Sequence, residues 1–109
     1  MITEPLTSEY ADDPEMQPLV REFTVGLTAT CGQLRLGLRT GNVEEVRRVG
    51  HQLKGAGGGY GYPDVTTAGA RLEECVVQAG NIDDAVRAAA AELIAVCELA
   101  QAGMSRQSS

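Results

Sequence analysis

Small or apolar residues recur at intervals of three or four positions in four successive segments of this 109-residue chain. At about 100° per residue, that spacing places them on one face of an α-helix, which is typical of a helix with a single buried stripe. The stripes are Val20, Phe23, Leu27, Cys31, Leu34 and Leu38; then Val46, Val49, Leu53, Gly57 and Tyr60; then Val65, Ala68, Leu72, Cys75, Val76 and Ala79; and last Ile82, Val86, Ala89, Leu93, Val96, Cys97 and Ala100. No segment alternates as a strand does, so the chain is predicted to be all-α.

Residues that start and stop helices separate the four segments. Asp12-Asp13-Pro14-Glu15 has the composition of a helix start, and at Pro18 the first helix either begins or bends. Gly41-Asn42 lies between the first two segments, Gly61-Tyr62-Pro63 between the next two, and Gly80-Asn81 before the last. Glycine after a helix, asparagine before one and proline at its start are common at such boundaries, which predicts very short turns.

Short turns force successive helices to lie antiparallel. We therefore predict a single domain over residues 1–109, an antiparallel up-down four-helix bundle with a short N-terminal extension. Its core is expected over about residues 13–102. Residues 1–12 are mostly polar and a Ser-rich tail begins at Gly103, so residues 1–12 and 103–109 are expected to be loosely ordered.

Charge and hydropathy exclude several classes of partner. The formal net charge of −6 argues against nucleic acid, because an acidic surface repels a phosphate backbone. No apolar stretch approaches the length that crosses a bilayer, and Met1 to Tyr10 lacks the basic start and apolar core of a signal peptide. A cytoplasmic location without membrane association is therefore expected.

The potential metal ligands are sparse. Cys31, Cys75 and Cys97 lie far apart in sequence, and the chain has a single histidine. The thiols are predicted to be free and buried, and neither a metal nor another cofactor is expected.

That single histidine, His51, lies in the second segment but outside its apolar stripe. On a helical wheel it falls about 160° from the centre of the stripe, so its imidazole is predicted to face solvent. Its neighbours on the outer face include Arg47, Arg48 and Lys54. These cations would favour a dianionic phosphoryl group on the ring, and an exposed neutral imidazole is a nucleophile that can accept one.

Two glycines share the outer face with His51. Each glycine inside a helix costs about 1 kcal/mol relative to alanine, and Gly55 and Gly58 contribute no packing there. We interpret them as leaving room for a partner surface to come close to the imidazole. From the residues alone, phosphotransfer on His51 and a surface histidine without a function are about equally favoured.

The segment His51–Gly61 resembles the signature of histidine phosphotransfer (HPt) domains. That signature reads H-x-L-K-G, one or two small residues, then an apolar residue and Gly. His51 matches the phosphorylated histidine, and Lys54 and Gly55 match the Lys and Gly of the signature.

The resemblance covers about residues 10–102 and departs from the signature in its extra glycines at 57–59 and in Tyr60, where Leu or Phe is usual. It implies a monomeric four-helix bundle without kinase activity of its own. His51 would accept a phosphoryl group from the aspartate of a receiver (response regulator) domain and donate it to another, or receive it from a histidine kinase. Lys54 would stabilise the phosphoryl charge, and the Mg²⁺ that assists transfer would belong to the receiver.

The favoured hypothesis is therefore a phosphorelay carrier, with Arg47, Arg48, Gly55 and Gly58 assigned to partner docking. Two alternatives remain open. One is a helical module that docks a receiver or another signalling protein without carrying phosphate, and the other is a purely structural bundle. The pair Glu73-Glu74 is interpreted as solvated helix surface without a chemical role.

Overall fold

A computed structural model describes the backbone of residues 4–108 and the side chains of residues 4–104. Its helices are α1 (Gln17–Thr40), α2 (Val43–Gly59), α3 (Pro63–Ala79) and α4 (Asp84–Ser108). The described residues contain no strand, so the predicted all-α class is confirmed. Within this part of the chain, none of the helices combines the length and the apolar character that crossing a membrane requires.

The four helices form a closed ring. α1 and α3 each pack against both α2 and α4, while the diagonal pairs do not meet over the described residues. On the α1–α4 side, Gln101 is hydrogen-bonded to Thr28, and Glu98 pairs with Arg35. The later residue of α1 thus meets the earlier residue of α4, which is the antiparallel arrangement expected of an up-down bundle.

Glycine, proline and asparagine end and start the helices at the predicted places. Pro18 lies in the first turn of α1, so the helix begins there and does not bend. Gly41 ends α1 at a φ of 70°, a left-handed conformation that glycine adopts without strain. The Asn42 side chain then accepts a hydrogen bond from the backbone N–H of Glu45 at 3.1 Å, which caps α2.

Two helix starts differ in detail from the prediction. α1 begins at Gln17, after a turn in which Asp13 accepts a backbone N–H at 2.9 Å. α4 begins at Asp84, and the residue that caps it is Asp83, which accepts a backbone N–H at 2.9 Å, and not Asn81. Asp83 satisfies a backbone donor of the first turn of α4 that has no partner inside the helix, whereas the Asp13 side chain stabilises the turn that precedes α1.

The core is built from the predicted stripes. Each helix contributes a fully buried leucine, namely Leu34, Leu53, Leu72 and Leu93. Valines and alanines fill most of the remaining space, and the few aromatic rings lie toward one end of the bundle. Burial of these aliphatic side chains is the main source of stability in a domain of this size.

The cysteines are free, as predicted. Cys31 of α1 and Cys97 of α4 are buried, on two helices that pack against each other. Cys75 is only partly buried. No group of three or more His, Cys, Asp and Glu side chains is close enough to hold a metal ion among the described residues.

α2 and α3 approach closely because glycines line their contact. A Cβ atom at Gly69 would lie 2.7 Å from the backbone N of Lys54 and 2.9 Å from the carbonyl O of Gly50. A Cβ atom at Gly57 would lie 2.6 Å from the backbone N of Thr66. The main chains of the two helices therefore pack directly on each other at Gly57 and Gly69.

The N-terminal extension differs most from the prediction. The backbone N–H of Leu6 donates to the carbonyl of Leu99 at 3.0 Å. Ser8 is buried, and its hydroxyl donates to the carbonyl of Tyr60 at 2.6 Å. This part of the segment 1–12 is therefore packed across the end of the bundle and is not loosely ordered.

α4 also continues beyond the predicted end of the core. Gly103 and Met104 are buried, and a Cβ atom at Gly103 would overlap the carbonyl of Leu6. The predicted tail therefore starts as helix, with a glycine where the N-terminal segment crosses it. Residues 1–3 and 109 and the side chains of 105–108, for which loose order was also expected, lie outside the described residues.

Replacing Ser8 by Ala is expected to lower the free energy of unfolding by about 1–2 kcal/mol. The change removes a hydroxyl that donates to Tyr60 and accepts from the backbone N–H of Tyr10 at 3.0 Å. Chemical denaturation measures the effect. The control is Thr30→Ala, because the exposed Thr30 hydroxyl bonds only within its own helix. Equal stability of the Ser8 variant and the parent would contradict the anchoring of this segment.

Candidate functional site

His51 lies near the middle of α2 with its side chain 69% exposed. The predicted outward orientation is confirmed. The opposite face of α2 is anchored in the core through Val46, Val49 and Leu53. The imidazole is therefore displayed to solvent on a rigid element, which suits a group that a partner protein must reach.

The imidazole has a carboxylate partner on the neighbouring helix. Nδ1 of His51 lies 2.8 Å from Oε2 of Glu73 in α3. The other carboxylate oxygen, Oε1, accepts from Nζ of Lys54 at 3.5 Å. A charged carboxylate only accepts hydrogen bonds, so in neutral imidazole the ring proton is held on Nδ1 and the lone pair is on Nε2.

Glu73 was missed by sequence reasoning, and the interpretation of Glu73-Glu74 as solvated surface is wrong for its first member. The Glu73 side chain is only 18% exposed and contacts the site, whereas Glu74 is exposed and accepts a hydrogen bond from Gln78. Only a knowledge of how α3 faces α2 distinguishes the two acids. The sequence carried one usable indication, a glycine on each helix, Gly50 and Gly69, that permits close contact.

Close packing of α2 and α3 determines where Glu73 lies. A Cβ atom at Gly50 would be 3.1 Å from the backbone N of Glu73. A larger residue at Gly50 would push the main chain of α3 away. The glycine contact therefore holds α3 close enough for the Glu73 carboxylate to reach His51, the residue after Gly50.

The pKa of the Glu73 carboxyl reflects this environment. Partial burial by itself would raise the pKa, but the hydrogen bond from His51 and the charges of His51 and Lys54 together outweigh burial and lower it. Because the pKa is lowered on folding, the contact contributes stability above the ordinary pKa of glutamate and loses it as the pH falls through the folded value. Glu73 is therefore a carboxylate at neutral pH.

The cations predicted around His51 have different partners. Lys54 shares Glu73 with the imidazole and belongs to the site. Arg47 binds Glu44 at 3.2 Å, one turn away along α2. Arg48 binds Glu45 of its own helix at 2.6 Å and donates to the side chain of Gln33 on α1 at 3.1 Å. Of the three predicted cations, Lys54 is the one that the structure joins to the His51–Glu73 pair.

On the C-terminal side of His51, the α2 surface is open at Gly55 and Gly58, which have no side chains. A Cβ atom at Gly55 would meet no atom within 4 Å, and one at Gly58 would meet only the Thr66 hydroxyl at 3.5 Å. The open outward face at these two glycines leaves space above α2 beside the imidazole.

A groove of about 320 Å³ between α1 and α2 adjoins this surface. Gln52 and Ala56 line its α2 side, each next in sequence to a residue of the exposed face. Phe23 and Tyr60 form part of its wall and stack with ring centroids 4.5 Å apart. A partly apolar concave surface therefore begins one residue from His51.

This architecture defines a class of protein: an antiparallel four-helix bundle that displays one histidine on a helix face, with a carboxylate on its Nδ1 and an ammonium group beside it. The family model described as Hpt domain matches residues 18–103, and the chain belongs to that family. The resemblance seen in the segment His51–Gly61 is thereby confirmed at the level of the family. Neither the curated proteins nor the solved structures gave a match. Membership implies a phosphotransfer role in two-component or phosphorelay signalling.

Proposed function

We propose that His51 is the residue that carries the phosphoryl group, bound to Nε2, between receiver-domain aspartates or from a histidine kinase to a receiver. The observation that carries the proposal is the 2.8 Å contact of Nδ1 with Glu73 on an imidazole that is 69% exposed. It directs the nucleophilic lone pair to Nε2 and leaves the ring accessible to another protein.

With this geometry, His51 can accept a phosphoryl group from a receiver aspartate. The Nε2 lone pair attacks phosphorus, the bond from phosphorus to the aspartate oxygen of the receiver breaks, and the aspartate leaves as a carboxylate. The ring gains positive charge, which the Glu73 carboxylate stabilises. Lys54 offers its ammonium group to the phosphoryl oxygens. The Mg²⁺ that assists this chemistry belongs to the receiver, and this chain supplies the nucleophile and its surroundings.

A receiver that presents its aspartate to Nε2 covers more than the imidazole, since a standard interface buries about 800 Å² on each partner. Around His51 that area takes in Gly55, Gly58 and the groove between α1 and α2. Arg47 and Arg48 lie at its edge and can exchange their glutamate partners for acidic groups of the receiver. Such rim charges affect the rate of association more than the affinity.

The proposal is tested by mixing the chain with a panel of phosphorylated receiver domains and measuring intact mass. A single phosphoryl adduct that is labile in acid and stable in alkali supports phosphohistidine transfer. Binding to a receiver without an adduct favours the alternative of a docking module that carries no phosphate. Neither adduct nor binding across receivers from the same source as the chain contradicts the proposed function.

Replacing Gly55 by Trp is expected to reduce transfer from a receiver at least tenfold while the fold stays intact. The indole enters open space, so the bundle accepts it, but it occupies the surface over which the receiver must approach. The matched control is Ala88→Trp, which puts the same bulk on an exposed position of α4, a helix that does not contact α2. Equal transfer rates for both variants and the parent would contradict the docking assignment of Gly55.

A further inference from the structure

We propose that Glu73 keeps the proton on Nδ1 of His51 after the ring is phosphorylated, so that the chain remains an efficient phosphoryl donor at alkaline pH. The inference rests on the proposed function and assigns Glu73 as a positioning residue in the donating half of the reaction. The sequence alone does not show which of the adjacent acids Glu73 and Glu74 reaches His51. The packing of α3 on α2 shows that it is Glu73.

The geometry makes this contact persistent. Glu73 is held by the main-chain packing of α3 on Gly50 and is largely shielded from solvent. In the unphosphorylated chain Lys54 also contacts its second oxygen, at 3.5 Å. Phosphorylation at Nε2 changes the far side of the imidazole and leaves the Nδ1–Glu73 contact in place.

The chemistry of donation depends on that proton. When the bond between Nε2 and phosphorus breaks, its electron pair goes to Nε2, and the phosphorus forms a new bond to a carboxylate oxygen of the receiver. With Nδ1 protonated, the ring leaves as neutral imidazole. Without that proton, it would have to leave as imidazolate, a far poorer leaving group. Loss of the Nδ1 proton therefore sets the upper pH limit of phosphoryl donation.

The charged groups near the ring come from both helices of the site. α3 contributes Glu73, and α2 contributes Lys54 and Arg47, the latter neutralised by Glu44. The phosphoryl group adds negative charge of its own. Glu73 is the one of these groups in direct contact with Nδ1, at 2.8 Å, so its negative charge is the one best placed to hold the proton there.

The test uses the full chain phosphorylated by phosphoramidate, a small-molecule donor that needs no receiver. The rate of phosphoryl loss is followed against pH for the parent, Glu73→Gln and Glu73→Ala. Glutamine keeps an acceptor for the Nδ1 proton but removes the charge, and alanine removes both. Glu74→Gln is the matched control, since it neutralises the adjacent acid, which does not contact the ring.

We expect the alkaline midpoint of the rate to fall by about one pH unit or more in both Glu73 variants and to stay at the parent value in Glu74→Gln. Superimposable pH profiles for the parent and Glu73→Gln, or an equal shift in the Glu74 control, would overturn the inference. Circular dichroism of each variant separates a shifted midpoint from a damaged fold.

Transfer to a receiver, measured over the same pH range, separates this inference from the proposed function. A shifted profile of phosphoryl loss, together with no transfer to any receiver, would support the role of Glu73 and contradict the relay. Transfer with an unshifted profile would support the relay and overturn the role of Glu73. No adduct from phosphoramidate or from any phosphorylated receiver would overturn both.

Discussion

His51→Gln is expected to abolish the phosphoryl adduct completely while leaving the bundle folded. The side chain is 69% exposed and contributes nothing to the core, so its loss has little effect on packing. Glutamine is polar and accepted in a helix, and its amide can still donate to Glu73. It has no nucleophilic nitrogen, and no other imidazole in the chain can take over, since the sequence contains a single histidine.

Intact mass after incubation with phosphoramidate and with phosphorylated receivers measures this outcome. The parent should gain one acid-labile phosphoryl group and the variant none, with superimposable circular dichroism and denaturation curves. An acid-labile adduct of undiminished yield on the variant would place the phosphoryl group elsewhere and remove His51 from the proposed function. Retained binding to a receiver, alongside loss of the adduct, would confirm that docking and chemistry are separable.

Gly69→Ala is expected to destabilise the bundle by about 1–3 kcal/mol, a large fraction of the stability of a small domain. The added methyl would lie 2.7 Å from the backbone N of Lys54 and 2.9 Å from the carbonyl of Gly50. Both are main-chain atoms of α2, so only a separation of α2 from α3 can relieve the contact. That separation exposes apolar core and lengthens the distance between His51 and Glu73.

Chemical denaturation checks the prediction, with Gly26→Ala as the matched control. Gly26 lies inside α1, and a Cβ atom there would meet nothing within 4 Å. Alanine is a better helix former than glycine, so the control should gain about 0.5–1 kcal/mol. Replacing glycine by alanine is thus expected to lower the free energy of unfolding at position 69 and to raise it at position 26. A Gly69 variant as stable as the parent would show that α2 and α3 do not pack as closely as described.

The Gly69 variant also links packing to chemistry. If the packing of α2 on α3 keeps the Glu73 carboxylate close to His51, the alkaline midpoint of phosphoryl loss should shift in Gly69→Ala in the direction expected for Glu73→Gln. Gly26→Ala should retain the parent midpoint. These measurements connect a backbone contact in the core with the behaviour of a surface histidine.

The sequence by itself determined the helices, their order and the outward direction of His51. Periodic apolar residues indicate the buried face of each helix. Gly41 indicates the end of one helix, and Asn42 and Pro63 indicate the starts of others. These are local properties of the chain, so they can be recognised in the sequence. The signature around His51 likewise lies within one helix, so it could be read without any knowledge of the neighbours.

Only the tertiary structure decided which side chain reaches His51. Glu73 is 22 residues away along the chain, and periodicity shows which face of α3 is buried but not which residue lies opposite which across the contact. That register depends on the main-chain approach at Gly50 and Gly69. The anchoring of Ser8 depends on hydrogen bonds to backbone carbonyls far away in sequence. Such contacts follow from the relative positions of whole helices, which no local pattern encodes.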